Sequence, residues 1–595
     1  MEGDLFMLTD KEESFLSDIY IEEAWAHVEY LSTLDKTSGT GGERRAHEYV
    51  RSKLKEYGVP YETYEFDSLI SHPKEAQIKV VSPTTLEVEC ITHAFSASTP
   101  EEGIEAELVH VPSSPSSLFT GVEGLVEEYR KVGVDGKVSI IWGVASPAVV
   151  WAAQQAGALA QVHICGGDVR HEMIVTTVWG TPTPESAGRI PRIAAVSVKH
   201  SDGEKLLGLL EEGPVRVNFR ARTDMRWRRI PFTVAEVKGS EEPEKFMLVH
   251  GHMDSWYLGT TDNCTGNAAL LELARLLQKH QDELKKSVRI AWWSGHSTGR
   301  YSASTWYADN LFHDLDRNCF LSMNIDSPGV KGATELGGGG LMGTMDFVNR
   351  AAKDATGVEE IEKQAYYMRA GDQSFYGIGV PSVAVRAYIP EGSPHKGKWI
   401  GGSGGAWWWH SAYDTLDKGD RENLLRDMRM EALAILRSMN SAVMPFDFAQ
   451  VAEMYESVVK EIQTQTAPGT IDMNPVLDGI RELKSRSEAL NYAMASLREL
   501  SVGDVSELND LLIRASRVLT STFYTYAGRY DQDPAYGMPQ LPGLQRAREL
   551  VKMDPDSDEA RFMWTRIVRE ANRVNGEICY AAWLIDKAIE ASSGN

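Results

Sequence analysis

Apolar positions along this chain change rhythm several times, and each change marks a different kind of element. Residues 20–60 carry them at helical spacing, and Glu43–Gly58 closes on a glycine suited to a helix C-terminus. Tyr61–Phe66 and Ala76–Val81 then alternate apolar and polar side chains, the period of half-buried strands. From Ala94 to about Arg226 the runs shorten and Pro and Gly bound them. Val134–Trp142 predicts a strand, Ala148–Gly157 a helix and Leu159–Ile164 a strand, while Ile190–Val198 leads to a helix at Gly203–Glu211 and a strand at Val215–Phe219. The altered texture predicts a small module inserted into a larger domain.

Beyond it, the apolar runs Phe246–Val249, Ser287–Trp293, Cys319–Ile325 and Pro381–Arg386 predict strands with helical stretches between them. That alternation implies an α/β fold, a parallel or mixed sheet covered by helices. After Pro445 the spacing is helical, over Phe448–Thr464, Pro475–Leu500 and Ser557–Ser592, with a turn-rich break at Gly528–Gly543. The 595 residues exceed what one core organises. The expected division is 1–94, the insert 95–225, a main domain 226–440 and a helical domain 441–595.

Composition narrows the class. Hydrophobic residues make up 42% and charged residues 25%, as in soluble globular proteins. The 85 acidic against 61 basic residues give a net charge of −24, which repels nucleic acid and anionic membranes. No run is long enough to span a bilayer, and the first residues lack the basic start of a secretory signal. Cys90, Cys165, Cys264, Cys319 and Cys579 are far apart, odd in number and free of CxxC spacing, so reduced thiols in a cytoplasm are expected.

The chemistry gathers around Leu248–Asn267. A short strand delivers His252 and Asp254 to its end, and a Gly- and Thr-rich loop presents Asp262 before an apolar helix. An imidazole nitrogen, a carboxylate able to bridge two ions, and Asp254 to support His252 make a metal-binding pattern. The bland alternative is a solvated loop with capping residues. Asp326 follows another apolar strand and His410 follows the Gly-rich loop Gly401–Gly405, completing a set of two His and two Asp suited to Zn²⁺ or a similar ion. Gly295-His-Ser-Thr-Gly299 also satisfies the nucleophile-elbow pattern, with Ser297 as nucleophile and His410 or Asp326 as partners, but it rests on three fixed positions. Gly337–Gly340 lacks a following P-loop Lys and is expected to be a loop. Of Trp407, Trp408 and Trp409, at least one is expected on a substrate rim beside His410.

The order and local motifs of these segments resemble the co-catalytic zinc aminopeptidases, and more closely the branch containing glutamate carboxypeptidase II and the transferrin receptor. The resemblance implies that residues 95–225 are a protease-associated module and that the helices after Asn440 form a dimerisation domain, giving a homodimer. It implies that His252, Asp262 and Asp326 hold one divalent ion, most simply zinc, that Asp262 bridges, and that His410 serves a second. Asp254 matches the residue that supports the first His, and Asp372 a further active-site acid. His296 and Ser297 stand where the family carries its Glu-Glu pair, the general base and a ligand of the second metal. One tight metal and a doubtful second are therefore expected, with His296 as base or ligand. Trp409 replaces a Tyr of the branch, Arg386 matches one of its substrate-binding arginines, and Ala384 stands where another would be, so release of a C-terminal glutamate is not expected. Trp409, Asp372, Arg386 and Tyr413 are the expected substrate contacts. The resulting expectation is a metal-dependent hydrolase acting on an amide or related C–N bond of a small molecule or short peptide. The alternatives are a receptor-like protein without activity, and chemistry at Ser297.

Overall fold

A single mixed sheet organises the chain. The computed structural model describes residues 8–117, 119–364, 369–466, 471–495 and 505–593, and thirteen strands among them form one sheet. Its centre is a parallel set in the order Lys286–Trp293, Glu242–His252, Cys319–Asn324, Ser382–Tyr388. These strands are apolar on both faces because helices cover both. Met247, Val249, Val288 and Ile290 share a core with the helices Ile21–Leu31, Thr265–Lys279 and Arg421–Asn440. The alternate residues Phe246, Leu248, Ala291 and Trp293 pack against Ala303, Tyr307 and Leu315 of the helices Ser302–Asn310 and Phe312–Asn318.

Two long strands carry the sheet outward. Tyr61–Ser82 and Val215–Val237, 22 and 23 residues long, pair antiparallel along nearly their whole length. One end of Val215–Val237 joins the central set through Thr233 and Trp292, and the other end pairs with Ile104–His110. The alternating segments Tyr61–Phe66 and Ala76–Val81 are thus one strand rather than two. The stretch between them is paired, Leu69 opposite Trp227 for instance, but carries polar residues such as Asp67, Ser68 and Ser71 that interrupt the period.

The inserted residues build their own parallel array, Ile104–His110, Val138–Trp142, Ala160–Ile164 and Ala194–Val198, over a separate core that includes Ile140, Val162 and Val196. The C-terminal helices Phe448–Gln465, Asn474–Met494, Ser506–Tyr524 and Asp558–Ser593 merge with the core on one face of the main sheet. The helix expected through Leu500 leaves the described residues at 496. Ser506–Tyr524 escaped the sequence pattern because buried Ser516, Thr520 and Ser521 stand among its apolar positions. Gly337–Gly340 lies in a buried strand, Glu335–Gly340, not a loop. Four glycines leave no side chains to show a period, yet the packing needs them: a Cβ on Gly338 would come within 1.8 Å of Asn349 Oδ1. Among the described residues no helix is long and apolar enough to cross a membrane, and all five cysteines are free thiols.

Buried histidines tie the layers together and set an acid limit. His47, from the helix Gly41–Glu56, places its ring nitrogens 3.1 Å from Thr233 Oγ1 and 2.9 Å from Ser294 Oγ. Burial, with Arg51 and Arg44 adding to it, pushes its pKa down to about 3, and burial pushes His250 down to about 4. An unfolded imidazole titrates near 6.5, so each contributes stability that is complete above that pH and is lost as the pH falls toward the folded value. Glu43 has the opposite sign: burial and then Asp254 raise it to about 8, and its contribution is lost as the pH rises through that value. Glu43 opposes the histidines between pH 5 and pH 6.5, so the share of His47 is read as the difference between thermal melts of wild type and a His47→Gln variant across that window. The variant should lose less stability than wild type on going from pH 6.5 to pH 5, by about 1–2 kcal/mol.

Candidate metal centre

The parallel strands end together, and side chains with metal-ligand chemistry collect outside their carboxyl ends. His252 closes the strand Glu242–His252, and its Nδ1 donates to the backbone carbonyl of Asp254 at 2.7 Å. Nε2 is left with its lone pair and faces Asp262 Oδ1 at 2.9 Å and Asp326 Oδ1 at 3.8 Å. His410 is prepared in the same way. Its Nδ1 donates to the backbone carbonyl of Glu172 at 2.7 Å, and its Nε2 lies 3.1 Å from Asp262 Oδ2. Asp262 therefore stands between two imidazoles, one on each carboxylate oxygen.

The loop that presents Asp262 is anchored by Asp414. One Asp414 oxygen accepts from the Thr261 amide and hydroxyl, each at 2.9 Å, and the other from the Asp262 amide at 3.1 Å. Burial raises the Asp414 carboxyl to about 7. The sequence motif around His410 contains this residue, but spacing alone gave it no role.

These donors fit a divalent ion. His252, Asp262 and Asp326 each offer one atom within 4.8 Å of the others. An ion bound tetrahedrally at about 2.0–2.2 Å holds its donors roughly 3.3–3.6 Å apart, close to the separations found here. Burial disfavours charge on His252, and the two carboxylates outweigh it, raising its pKa well above the ordinary imidazole value. Burial likewise opposes a charged Asp262, but His252 and His410 hold it well below the usual carboxylate range. A site that concentrates buried carboxylates around lone-pair nitrogens suits a cation, and mixed N and O donors suit zinc.

His296 stacks on His252, ring centroids 3.9 Å apart and planes at 14°. Its Nδ1 is 2.7 Å from Asp372 Oδ2, while Asp372 Oδ1 accepts from Ser304 Oγ at 2.8 Å. Burial works against a charged Asp372, and His296 more than offsets it, lowering the pKa. The second ring nitrogen of His296 is left for the cavity it lines. Asp254 acts through two groups: its carbonyl fixes His252, and its carboxylate accepts from the His296 and Ser297 amides at 3.1 and 2.9 Å. The expected support of His252 thus comes from the backbone of Asp254 rather than its side chain.

The cavity holds ≈ 280 Å³ and is lined by Asp262, Asp326, His296, His410, Trp409 and Arg386 among others. Trp409 stacks on His410 at 3.6 Å and is seated against Gly402, where a Cβ would come within 2.0 Å of the indole nitrogen. Trp408 is a core residue that donates to Thr261 Oγ1 at 3.2 Å. Three expectations fail here. Asp372 lies behind His296 and does not line the cavity, because its two oxygens are taken by His296 and Ser304. Tyr413 is 57% exposed and packs on Trp407 outside the cavity, because its loop turns outward after Ser411. Ser297 is 2% exposed and absent from the lining, and both proposed partners face the metal position, so the elbow geometry is not formed. Sequence reasoning missed Arg300 and Tyr301, which line the same cavity one turn of chain after His296. It also missed the Glu172 carbonyl, a main-chain group for which no side-chain signal exists.

Residues 233–434 match Peptidase family M28. The probable glutamate carboxypeptidase VP8 of Zea mays is 23% identical over 576 residues, spanning 83% of this chain and 78% of that protein. A peptidase M28 precursor from Shewanella amazonensis has a similar fold, with a TM-score of 0.59 at 17% identity over 73% of this chain and 97% of that one. A zinc aminopeptidase from Bacillus subtilis gives 0.52 at 18% identity over 71% of this chain and 95% of its own.

Proposed function

We propose that this chain, which carries an M28 peptidase domain over residues 233–434, is a metal-dependent hydrolase cleaving an amide or related C–N bond in a small or peptide substrate. The observation that carries the reading is the placement of Asp262 between His252 and His410, each fixed through Nδ1 by a main-chain carbonyl. His252, Asp262 and Asp326 would hold one divalent ion. When bound, such an ion supplies Lewis acidity and a nucleophile at neutral pH.

The chain's own residues do the rest. His296 takes the proton of the attacking water at its free ring nitrogen and returns it to the leaving amine, while Asp372 holds the other ring nitrogen. Trp409 and Arg386 line the space for substrate. Among the described residues Asp262 and His410 flank the second position, and Ser297 does not line the cavity, so a second ion is held weakly. Metal analysis tests this: about one equivalent of zinc is expected after dialysis, and a second only with zinc in excess. Chelation should lower peptide hydrolysis at least about 10³-fold, zinc should restore it, and the thermal midpoint should rise with zinc concentration. Protein that holds no stoichiometric ion overturns the reading. Stoichiometric metal without hydrolysis of any amide in a broad panel favours a receptor-like protein instead, the reading that the missing Glu-Glu pair supports.

A homodimer through the C-terminal helices is part of the same proposal. The helix Asp558–Ser593 exposes Phe562, Trp564, Tyr580 and Trp583, with Tyr580 and Trp583 stacked at 5.8 Å. Light scattering that finds a monomer at micromolar concentration removes it. The free, scattered thiols agree with a cytoplasmic setting.

A further inference from the structure

Arg300 is a buried cation in the wall of the cavity, and the described residues leave part of its donor set unpaired. It is 4% exposed and lines the cavity together with His296. Nη2 donates to the carbonyl of Ala535 at 2.8 Å and a further hydrogen bond joins the guanidinium to the Tyr301 side chain, while Nε is buried without a partner among the described residues. Tyr301 links it to the proposed base: the Arg300 guanidinium lies over the Tyr301 ring, 4.6 Å from its centroid, and that ring meets His296 edge-on at 4.9 Å. The carboxylate that acts on Arg300 from further off, Asp372, is already engaged by His296 and Ser304.

Arg369 repeats the situation behind it. Its guanidinium lies 3.7 Å over Trp179 and bonds the Asp533 carbonyl at 2.9 Å and the Gln532 side chain, with the Asp533 carboxylate acting on it as an opposite charge, while Nε has no partner among the described residues. Other inward-facing arginines are treated differently. Arg289 pairs with Glu236 and Asp314, and Arg517 donates to four main-chain carbonyls. A buried guanidinium whose donors are not all paired is costly to keep, and the forked donors match an oxyacid group in two-point contact.

We propose that Arg300, backed by Arg369, forms an anion subsite, so that the substrate carries a charged oxyacid group in addition to the bond that is cleaved. This deepens the hydrolase reading and rests on it for the location of the bond, but the subsite itself is tested by binding alone. Zinc-loaded protein is titrated calorimetrically with glutarate and with glutarate monoamide, which have equal length and differ by one charge. The monoamide keeps one carboxylate for the metal, so the ratio of the two affinities isolates the second anion.

Wild type is expected to favour glutarate about 30-fold, Arg300→Gln less than about threefold, and Arg300→Lys an intermediate ratio. 3-Phosphonopropionate, run alongside, tells a carboxylate site from a phosphate-type one by which anion has the larger advantage. A wild-type ratio near one for both anions overturns the proposal. So does an unchanged ratio in Arg300→Gln protein that melts cooperatively. Should that variant not fold, because it loses its contact to Ala535, Arg369→Gln takes its place, and an unchanged ratio there overturns the proposal equally. Metal content of the same samples reports separately on the hydrolase reading.

Discussion

Asp262→Asn is expected to abolish turnover by at least about four orders of magnitude and to leave the protein without bound metal. The substitution preserves shape but removes the charge that two imidazoles share, and it aims an amide N–H₂ at one of their lone pairs. Loss of one ligand typically weakens a zinc site severely, and here the lost ligand serves both positions. The fold should survive, because Asp414 holds the loop through the Thr261 and residue 262 amides, which the substitution leaves in place. Zinc by atomic emission and amide hydrolysis are measured together on the purified variant. A variant that keeps one equivalent of ion and activity within tenfold of wild type would place the chemistry elsewhere.

His296→Gln is expected to lower kcat by about 10²–10⁴-fold while metal content stays at the wild-type level, the range for losing a general base. Asp372→Asn should also lower kcat, by up to about 10⁴-fold, by leaving the ring in place with its tautomer no longer set. The split between catalysis and metal content is the diagnostic reading: if His296→Gln also loses zinc, His296 is a ligand and not a base. Restoring the family's residue with His296→Glu is not expected to help. A carboxylate there would meet the Asp372 carboxylate that now lies 2.7 Å from the imidazole, and like charges so close oppose ionisation of both.

The central strands and the loop before Asp262 were legible because their side chains repeat at structural periods and because His and Asp at strand ends are uncommon without a reason. The spacing marks Asp326 and His410 as candidates even though 84 residues of sequence separate them. What stayed hidden had no side-chain signature. The Glu172 carbonyl that orients His410 comes from 238 residues away in sequence and belongs to the main chain. Asp372 read as a substrate contact because a motif gives an acid's place in the chain and not the direction in which it points. Arg300 belongs to no motif, and it is the turn after His296, with Arg300 and Tyr301 both at positive φ, that folds it inward. The long strands were cut short for a similar reason, since pairing through polar residues leaves no alternation to see.

The paired strands Tyr61–Ser82 and Val215–Val237 act as a beam reaching from beneath the candidate metal ligands into the inserted array, and that array returns a carbonyl to His410. Excising residues 95–214 would therefore not yield a smaller working enzyme. It would remove the strut that aims one ligand and strip the outer half of the beam of its neighbours, so the two lobes are a single mechanical unit that cannot be swapped or trimmed piecemeal.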